Sequence, residues 1–116
     1  MSVVIYHNPR CSKSRETLAL LEEKGITPNV VKYLEEIPSI DALKALFSQL
    51  GFTSVREMMR TKETEYKEQN LDDGSVTDEQ LFEAMALTPK LIERPIVVYN
   101  NQAKIGRPPE QVLDIL

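Results

Sequence analysis

With 116 residues, 41% of them hydrophobic and 28% charged, the chain has the size and balance of one folded domain, not of a disordered polymer. Its apolar runs are only a handful of residues long, which excludes a bilayer-spanning helix, and a net charge of −4 argues against general nucleic-acid binding, which needs a basic face. One cysteine, Cys11, and one histidine, His7, cannot make an internal disulfide or a Cys/His zinc cage, so no metal site is expected.

Met1-Ser2-Val3-Val4-Ile5-Tyr6-His7 has no basic n-region and no small-residue cleavage site, so the expected compartment is the cytoplasm. Within it, Val3-Val4-Ile5-Tyr6 is a β-branched and aromatic run bounded by Asn8-Pro9, which predicts a buried strand and a turn. From about Ser12 to Lys24 the pattern becomes helical, with Leu18 and Leu21 on one face and Gly25 as the residue after the cap. Asn29 to Leu34, entered through Pro28, is the second strand. A strand, a tight turn, a helix and a strand in so short a span form a βαβ unit, so the two strands should be parallel.

A helical block follows. Pro38-Ser39 opens a helix with apolar residues at Ile40, Leu43, Leu46, Phe47 and Leu50, closed by Gly51. Ser54-Val55-Arg56-Glu57 and Thr77-Asp78-Glu79-Gln80 both have the capping-box spacing. Between them, Lys62 to Gly74 is polar and reads as a loop with a helical turn or two. Ile96 to Tyr99 and Gln102 to Ile105 then make a hairpin around Asn100-Asn101, a pair that tolerates positive φ. Gly106-Arg107-Pro108-Pro109-Glu110 leads into a terminal helix carrying Val112, Leu113, Ile115 and Leu116, with proline in its first turn. The order β-α-β, helical block, β-β-α describes an α/β domain over residues 1–116 with a helical insertion at about 39–92.

A free cysteine is most often inert core. Cys11 stands apart because it lies between a turn and a helix, outside any apolar run. Unpaired N–H groups at a helix start favour negative charge, a setting that lowers a thiol pKa from ~8.5 into the range ~3.5–7.5. The same amides can cradle an oxyanion, so nucleophile and anion site coincide. Arg10 and Lys13 add positive charge on either side in sequence. Two known thiol motifs do not fit. Cys-x-x-Cys would need a cysteine where Ser14 stands, and a Cys-x5-Arg phosphate loop would need an arginine where Thr17 stands. The Ser14 hydroxyl could donate to the sulfur but cannot resolve a disulfide, so redox chemistry must borrow a second thiol from another molecule.

His7-Asn8-Pro9-Arg10-Cys11-Ser12-Lys13-Ser14-Arg15 resembles the active-site segment of the glutaredoxin-dependent arsenate reductases, His-Asn-Pro-x-Cys-x-x-Ser-Arg. The resemblance continues through Tyr33-Leu34, Val55 to Arg60, Arg94-Pro95-Ile96-Val97-Val98 and Gly106-Arg107-Pro108, nearly the whole chain. Ser12-Lys13 stand where the commonest version has Gly-Thr, and serine restricts the backbone more than glycine. The resemblance implies a thioredoxin-like (glutaredoxin-like) fold with a mixed four-stranded sheet and a cis bond at Arg94-Pro95 facing the active-site turn. It also implies that Arg60, Arg94 and Arg107 converge on Cys11 as an oxyanion clamp. His7 and Ser14 would stabilise the thiolate, His7 as an electrostatic helper.

The implied reaction is attack of the Cys11 thiolate on arsenate or a similar oxyanion, with glutathione as co-substrate and glutaredoxin as partner. No cofactor would be bound, and a monomer is expected. Two other readings share the fold. One is a monothiol redox protein acting on glutathione mixed disulfides. The other is a non-enzymatic module like the Spx-type regulators, which often carry a Cys-x-x-Cys switch that is missing here.

Overall fold

Strand order is the feature that places the site. A computed structural model of the chain describes residues 2–116. Its four strands, β1 (Val4–Tyr6), β2 (Asn29–Val31), β3 (Ile96–Tyr99) and β4 (Gln102–Ile105), form one mixed sheet in the order β2-β1-β3-β4. β1 pairs with β2 in parallel, Ile5 opposite Val30, and with β3 antiparallel, Ile5 opposite Val97. The first strand is therefore central, and whatever follows it emerges in the middle of the sheet's end.

Side-chain alternation divides the core between the two faces. Val3, Ile5 and Val97 meet Leu21 of helix α1 (Ser12–Glu23) together with Val112 and Ile115. On the opposite face Ile96 and Ala103, with Tyr6 and Val98, meet the helical block. That block consists of α2 (Ile40–Leu50), α3 (Thr64–Glu68) and α4 (Asp78–Leu87), with 3₁₀ turns at Val55–Met58 and Pro89–Leu91. The Phe47 and Phe82 rings of α2 and α4 pack edge to face, centroids 5.9 Å apart.

Local chemistry sets the boundaries. Ser39 accepts the Ala42 N–H at the start of α2, and Gly51 ends it at φ +72°. Thr77 and Gln80 make a reciprocal capping box on α4. Asn100 and Asn101 both have positive φ, 52° and 62°, as the two-residue hairpin requires.

Three expectations need correction. β2 ends at Val31 instead of Leu34, because the Glu35 and Glu36 N–H groups donate to the Lys32 carbonyl and fold the chain into a turn that sends Tyr33 inward. The terminal helix is 3₁₀ over Pro109–Ile115, not α. Its buried residues, Pro109, Val112 and Ile115, recur every three positions, the repeat of a 3₁₀ turn. The capping-box spacing at Ser54 produces only one 3₁₀ turn, although Glu57 does accept from the Thr53 N–H. On α1, Leu18 and Leu21 do share a face against one core cluster, and Ser14 and Thr17 are buried beside them. No helix among the described residues is long and apolar enough to cross a membrane.

Candidate active site

The turn after β1 is built by Asn8. Its side-chain oxygen accepts the Arg10 N–H at 3.0 Å, its carbonyl accepts the Cys11 N–H at 3.0 Å, and its own N–H donates to Ser14 Oγ at 3.0 Å. Asn side chains bond their own backbone two residues on and so fix such turns. Arg15 closes the turn from the helix side, its Nη1 donating to the Pro9 carbonyl. Cys11 is delivered to the N-cap of α1 in an extended conformation (φ −94°, ψ 126°). Ser12 is the first residue of α1 and has no positive φ, so nothing at that position calls for glycine.

Cys11 Sγ is partly exposed, and Arg107 Nη2 lies 3.7 Å from it. Burial pushes the thiol pKa up. The backbone N–H of Ser14, the Arg94 guanidinium, the Lys13 N–H and the Arg107 guanidinium pull it down, and the net result is below the ordinary thiol value. The sulfur sits where an N-cap oxygen would, without completing a side-chain capping hydrogen bond. The leading charge effects on the sulfur are not those of the flanking Arg10 and Lys13. Lys13 turns outward to Glu16 at 3.5 Å, and the leading charges belong to residues at the far end of the chain.

His7 and Ser14 stand behind this arrangement. Ser14 is fully buried, and its hydroxyl hydrogen-bonds His7 Nδ1 at 2.6 Å while accepting from Asn8. The hydroxyl is thereby engaged away from the sulfur; only the Ser14 backbone N–H reaches Cys11. His7 is buried, and its pKa is lowered by desolvation and then by the Lys32 and Arg15 charges. The bond between the His7 ring and the Ser14 hydroxyl ties the end of β1 to the first turn of α1 behind the sulfur.

The three arginines do meet. Arg60, Arg94 and Arg107 line one cleft of about 350 Å³, together with Lys62, Glu63 and Glu93. A short antiparallel bridge, Met59 to Ile92, accounts for it. The Arg60 N–H donates to the Leu91 carbonyl at 2.7 Å and the Glu93 N–H to the Met58 carbonyl at 2.9 Å, which ties the Arg60 loop to the segment before Pro95. The Arg94–Pro95 bond is cis, and so is Arg107–Pro108. Arg107 Nε donates to the Arg94 carbonyl at 2.8 Å and its Nη2 lies 3.7 Å from Cys11 Sγ, so Arg107 links the cleft it lines to the sulfur, which is not itself part of the lining.

Three further residues lie at the site that were not among those expected to form it. Tyr33 is buried; burial raises its phenol pKa, and Arg94, Arg60 and Cys11 all act on it, so it lies among the site's charges. Glu63 pairs with Arg60, three residues away, a spacing at which the sequence could have signalled it. Glu93 stands 3.3 Å from Arg94 Nη1 and 3.7 Å from Arg107 Nε. No group of three or more His, Cys, Asp or Glu side chains among the described residues is placed to share a metal ion. The arrangement offers a polarised thiolate beside a cleft of guanidinium donors, suited to a nucleophile attacking a bound oxyanion.

Comparison with known proteins agrees with this geometry. The ArsC family model matches residues 6–115. A Haemophilus influenzae protein named arsenate reductase is 55% identical over 116 residues, covering 100% of both chains. The Escherichia coli K12 protein YfgD is 60% identical over 114 residues, 98% of this chain and 96% of its own. A solved structure titled arsenate reductase from Vibrio cholerae superposes with a TM-score of 0.99 at 68% identity, covering 100% of this chain and 98% of that one. A thioredoxin-like α/β sheet, the cysteine turn and a full-length family match lead to one conclusion: the chain belongs to the ArsC family.

Proposed function

We propose that the protein is an arsenate reductase, an oxidoreductase that uses Cys11 as nucleophile and glutathione with glutaredoxin as reductants. The observation that carries the reading is the placement of Arg107 Nη2 3.7 Å from Cys11 Sγ while the same guanidinium borders the arginine-lined cleft. Arginine is permanently charged, and its fork matches a tetrahedral oxyanion. Relatives bearing the name arsenate reductase, at 49–55% identity over nearly the whole chain, support the same reading.

Arsenate enters the cleft among Arg60, Arg94 and Arg107, and the Cys11 thiolate attacks arsenic. A sulfur–arsenic bond forms, and an arsenic–oxygen bond breaks with loss of water or hydroxide. Glutathione adds to the thiol-bound arsenic. Formation of a sulfur–sulfur bond between Cys11 and glutathione then supplies two electrons, and As(V) leaves as arsenite. Arsenate, one protein thiol and one glutathione thus yield arsenite, a mixed disulfide and one water. Glutaredoxin resolves that disulfide by thiol exchange, a step that a chain with a single cysteine cannot perform alone. The partly exposed sulfur is open to both thiols. Cys11 and the three arginines all lie within one chain, so a monomer suffices, and the cytoplasm supplies glutathione.

The test is arsenate-dependent NADPH oxidation with glutathione, glutathione reductase and glutaredoxin present. Turnover is expected with the wild type and its loss with Cys11→Ser. A folded protein with a titratable Cys11 and no arsenate-dependent rate would overturn the proposal; arsenate-independent thiol exchange in its place would point to the monothiol redox reading.

A further inference from the structure

The cleft beside Cys11 is not uniformly cationic. Arg60, Lys62, Arg94 and Arg107 line it, but so do the carboxylates of Glu63 and Glu93. Glu63 is spoken for: it pairs with Arg60 and lies 3.5 Å from Lys90 at the rim. Glu93 is placed differently. One of its oxygens is shared between Arg94 Nη1 and Arg107 Nε, the two guanidiniums that lower the Cys11 pKa. Its backbone N–H donates to the Met58 carbonyl, and its mostly buried carboxylate lies against both guanidiniums. Arg94 Nε is buried with no hydrogen-bond partner, so this guanidinium keeps an unsatisfied donor.

An ionised carboxylate only accepts hydrogen bonds. An oxyanion that takes hydrogen bonds from Arg94 Nη1 and Arg107 Nε brings an oxygen against Glu93, which already borders both. If that oxygen is bare, two anionic oxygens face each other; if it carries a proton, it donates. Near neutral pH arsenate and phosphate keep a proton on at least one oxygen, whereas sulfate keeps none. We propose that Glu93 is the specificity-determining residue of the clamp, accepting a hydrogen bond from the protonated oxygen so that the site takes protonated tetrahedral oxyanions and rejects sulfate. The proposal rests on the oxyanion-binding reading above. It adds the repulsive element that discrimination between isosteric anions requires, since guanidinium groups alone attract both.

The test uses the full chain and inorganic phosphate and sulfate as unreactive probes. The concentration of each anion that half-protects Cys11 from iodoacetamide near neutral pH is measured for wild type, Glu93→Gln and Glu93→Asp. Sites built to bond a substrate hydroxyl can discriminate by orders of magnitude, but Glu93 is 25% exposed, so a phosphate preference of about tenfold is expected in the wild type. Glu93→Gln presents an amide that can donate to a bare oxygen; sulfate should bind more tightly and the preference should fall by about fivefold or more. Glu93→Asp keeps the carboxylate and should keep a preference for phosphate. A wild type that binds sulfate as well as phosphate, or a preference unchanged in Glu93→Gln, would overturn the proposal. Arsenate-dependent turnover of the same wild-type sample separates the two levels. Turnover with an unchanged anion preference refutes only the role of Glu93, while absence of both turnover and protection refutes the oxyanion reading with it.

Discussion

Gly106 is packed against Thr17 so closely that a Cβ at position 106 would lie 2.5 Å from Thr17 Oγ1, and 2.9 Å from Pro95 Cγ. Thr17 is fully buried in α1, with its hydroxyl bonded to the Lys13 carbonyl, and the Gly106 N–H donates to the Pro95 carbonyl. The glycine is thus a spacer. It lets the segment bearing Arg107 lie against the helix that begins at Cys11 and against the proline that follows Arg94.

Gly106→Ala is therefore expected to destabilise the fold by about 1–3 kcal/mol through overpacking, and to withdraw Arg107 from the sulfur. Chemical denaturation reads the first effect and the pH dependence of Cys11 alkylation the second. Adding Thr17→Ala should recover part of the stability and not all, because the Pro95 contact remains. An unchanged denaturation midpoint in Gly106→Ala would show that the contact carries no strain.

The Cys11 thiol should titrate below the ordinary thiol value, and the arginines should account for part of the shift. Alkylation rate against pH gives the midpoint directly, because only the thiolate reacts. Arg94→Ala and Arg107→Ala should each move that midpoint upward, slowing alkylation at neutral pH. Arg107→Lys keeps the charge and should move it less. If all three profiles coincide with the wild type, the helix N–H groups alone activate the sulfur.

Much of the fold was legible because its signals are local. Ser39 and Gly51 around α2, the Thr77–Gln80 box and the Asn100-Asn101 turn each act through atoms a few residues apart, and each sits where the sequence places it. Cys11 at a helix start was legible for the same reason. The arginine clamp was not. No spacing links Arg60 to Arg94; the Met59–Ile92 bridge does, and only family resemblance pointed to it in advance. Glu93 was hidden by its chemistry, since a glutamate beside an arginine in sequence is ordinary surface composition until Arg107, just past β4, folds in beside it. The direction of the Ser14 hydroxyl was equally out of reach, because it depends on how β1 sets His7 against α1.

Ser14→Ala tests that direction. It removes the partner of both the Asn8 N–H and the His7 ring in a buried setting, and a loss of about 1–3 kcal/mol in stability is expected. The alkylation midpoint of Cys11 should change little, because the Ser14 group acting on the sulfur is the backbone N–H, which alanine retains. A large upward shift without loss of stability would mean that the hydroxyl serves the thiolate instead.

Arg56 is an arginine of the opposite kind. Its guanidinium donates to Tyr66 Oη and to the Leu71 and Asp73 carbonyls, tying together the polar loop of the helical block. Arg56→Ala should leave those acceptors unpaired and cost about 2–3 kcal/mol, measured by denaturation, while the Cys11 alkylation profile stays in place. Loss of thiol activation in a folded Arg56→Ala protein would show that the loop positions Arg60 as well.

His7 gives the fold a pH dependence whose sign follows from its environment. Desolvation lowers its pKa, and the charges of Lys32 and Arg15 lower it further, so the folded protein holds the ring neutral at pH values where the unfolded chain protonates it. Between the folded pKa and the unfolded value of 6.5 the unfolded state binds more protons, and stability rises with pH across that window. The contribution is complete above 6.5 and is lost as pH falls toward and through the folded pKa. His7→Asn, which cannot titrate there, should be less stable at neutral pH because the Ser14 bond is altered, yet lose less stability on acidification. Denaturant midpoints of the two proteins, taken from about pH 7.5 down to about pH 5, should therefore converge. Parallel curves would place the titration of His7 in the folded protein at its unfolded value.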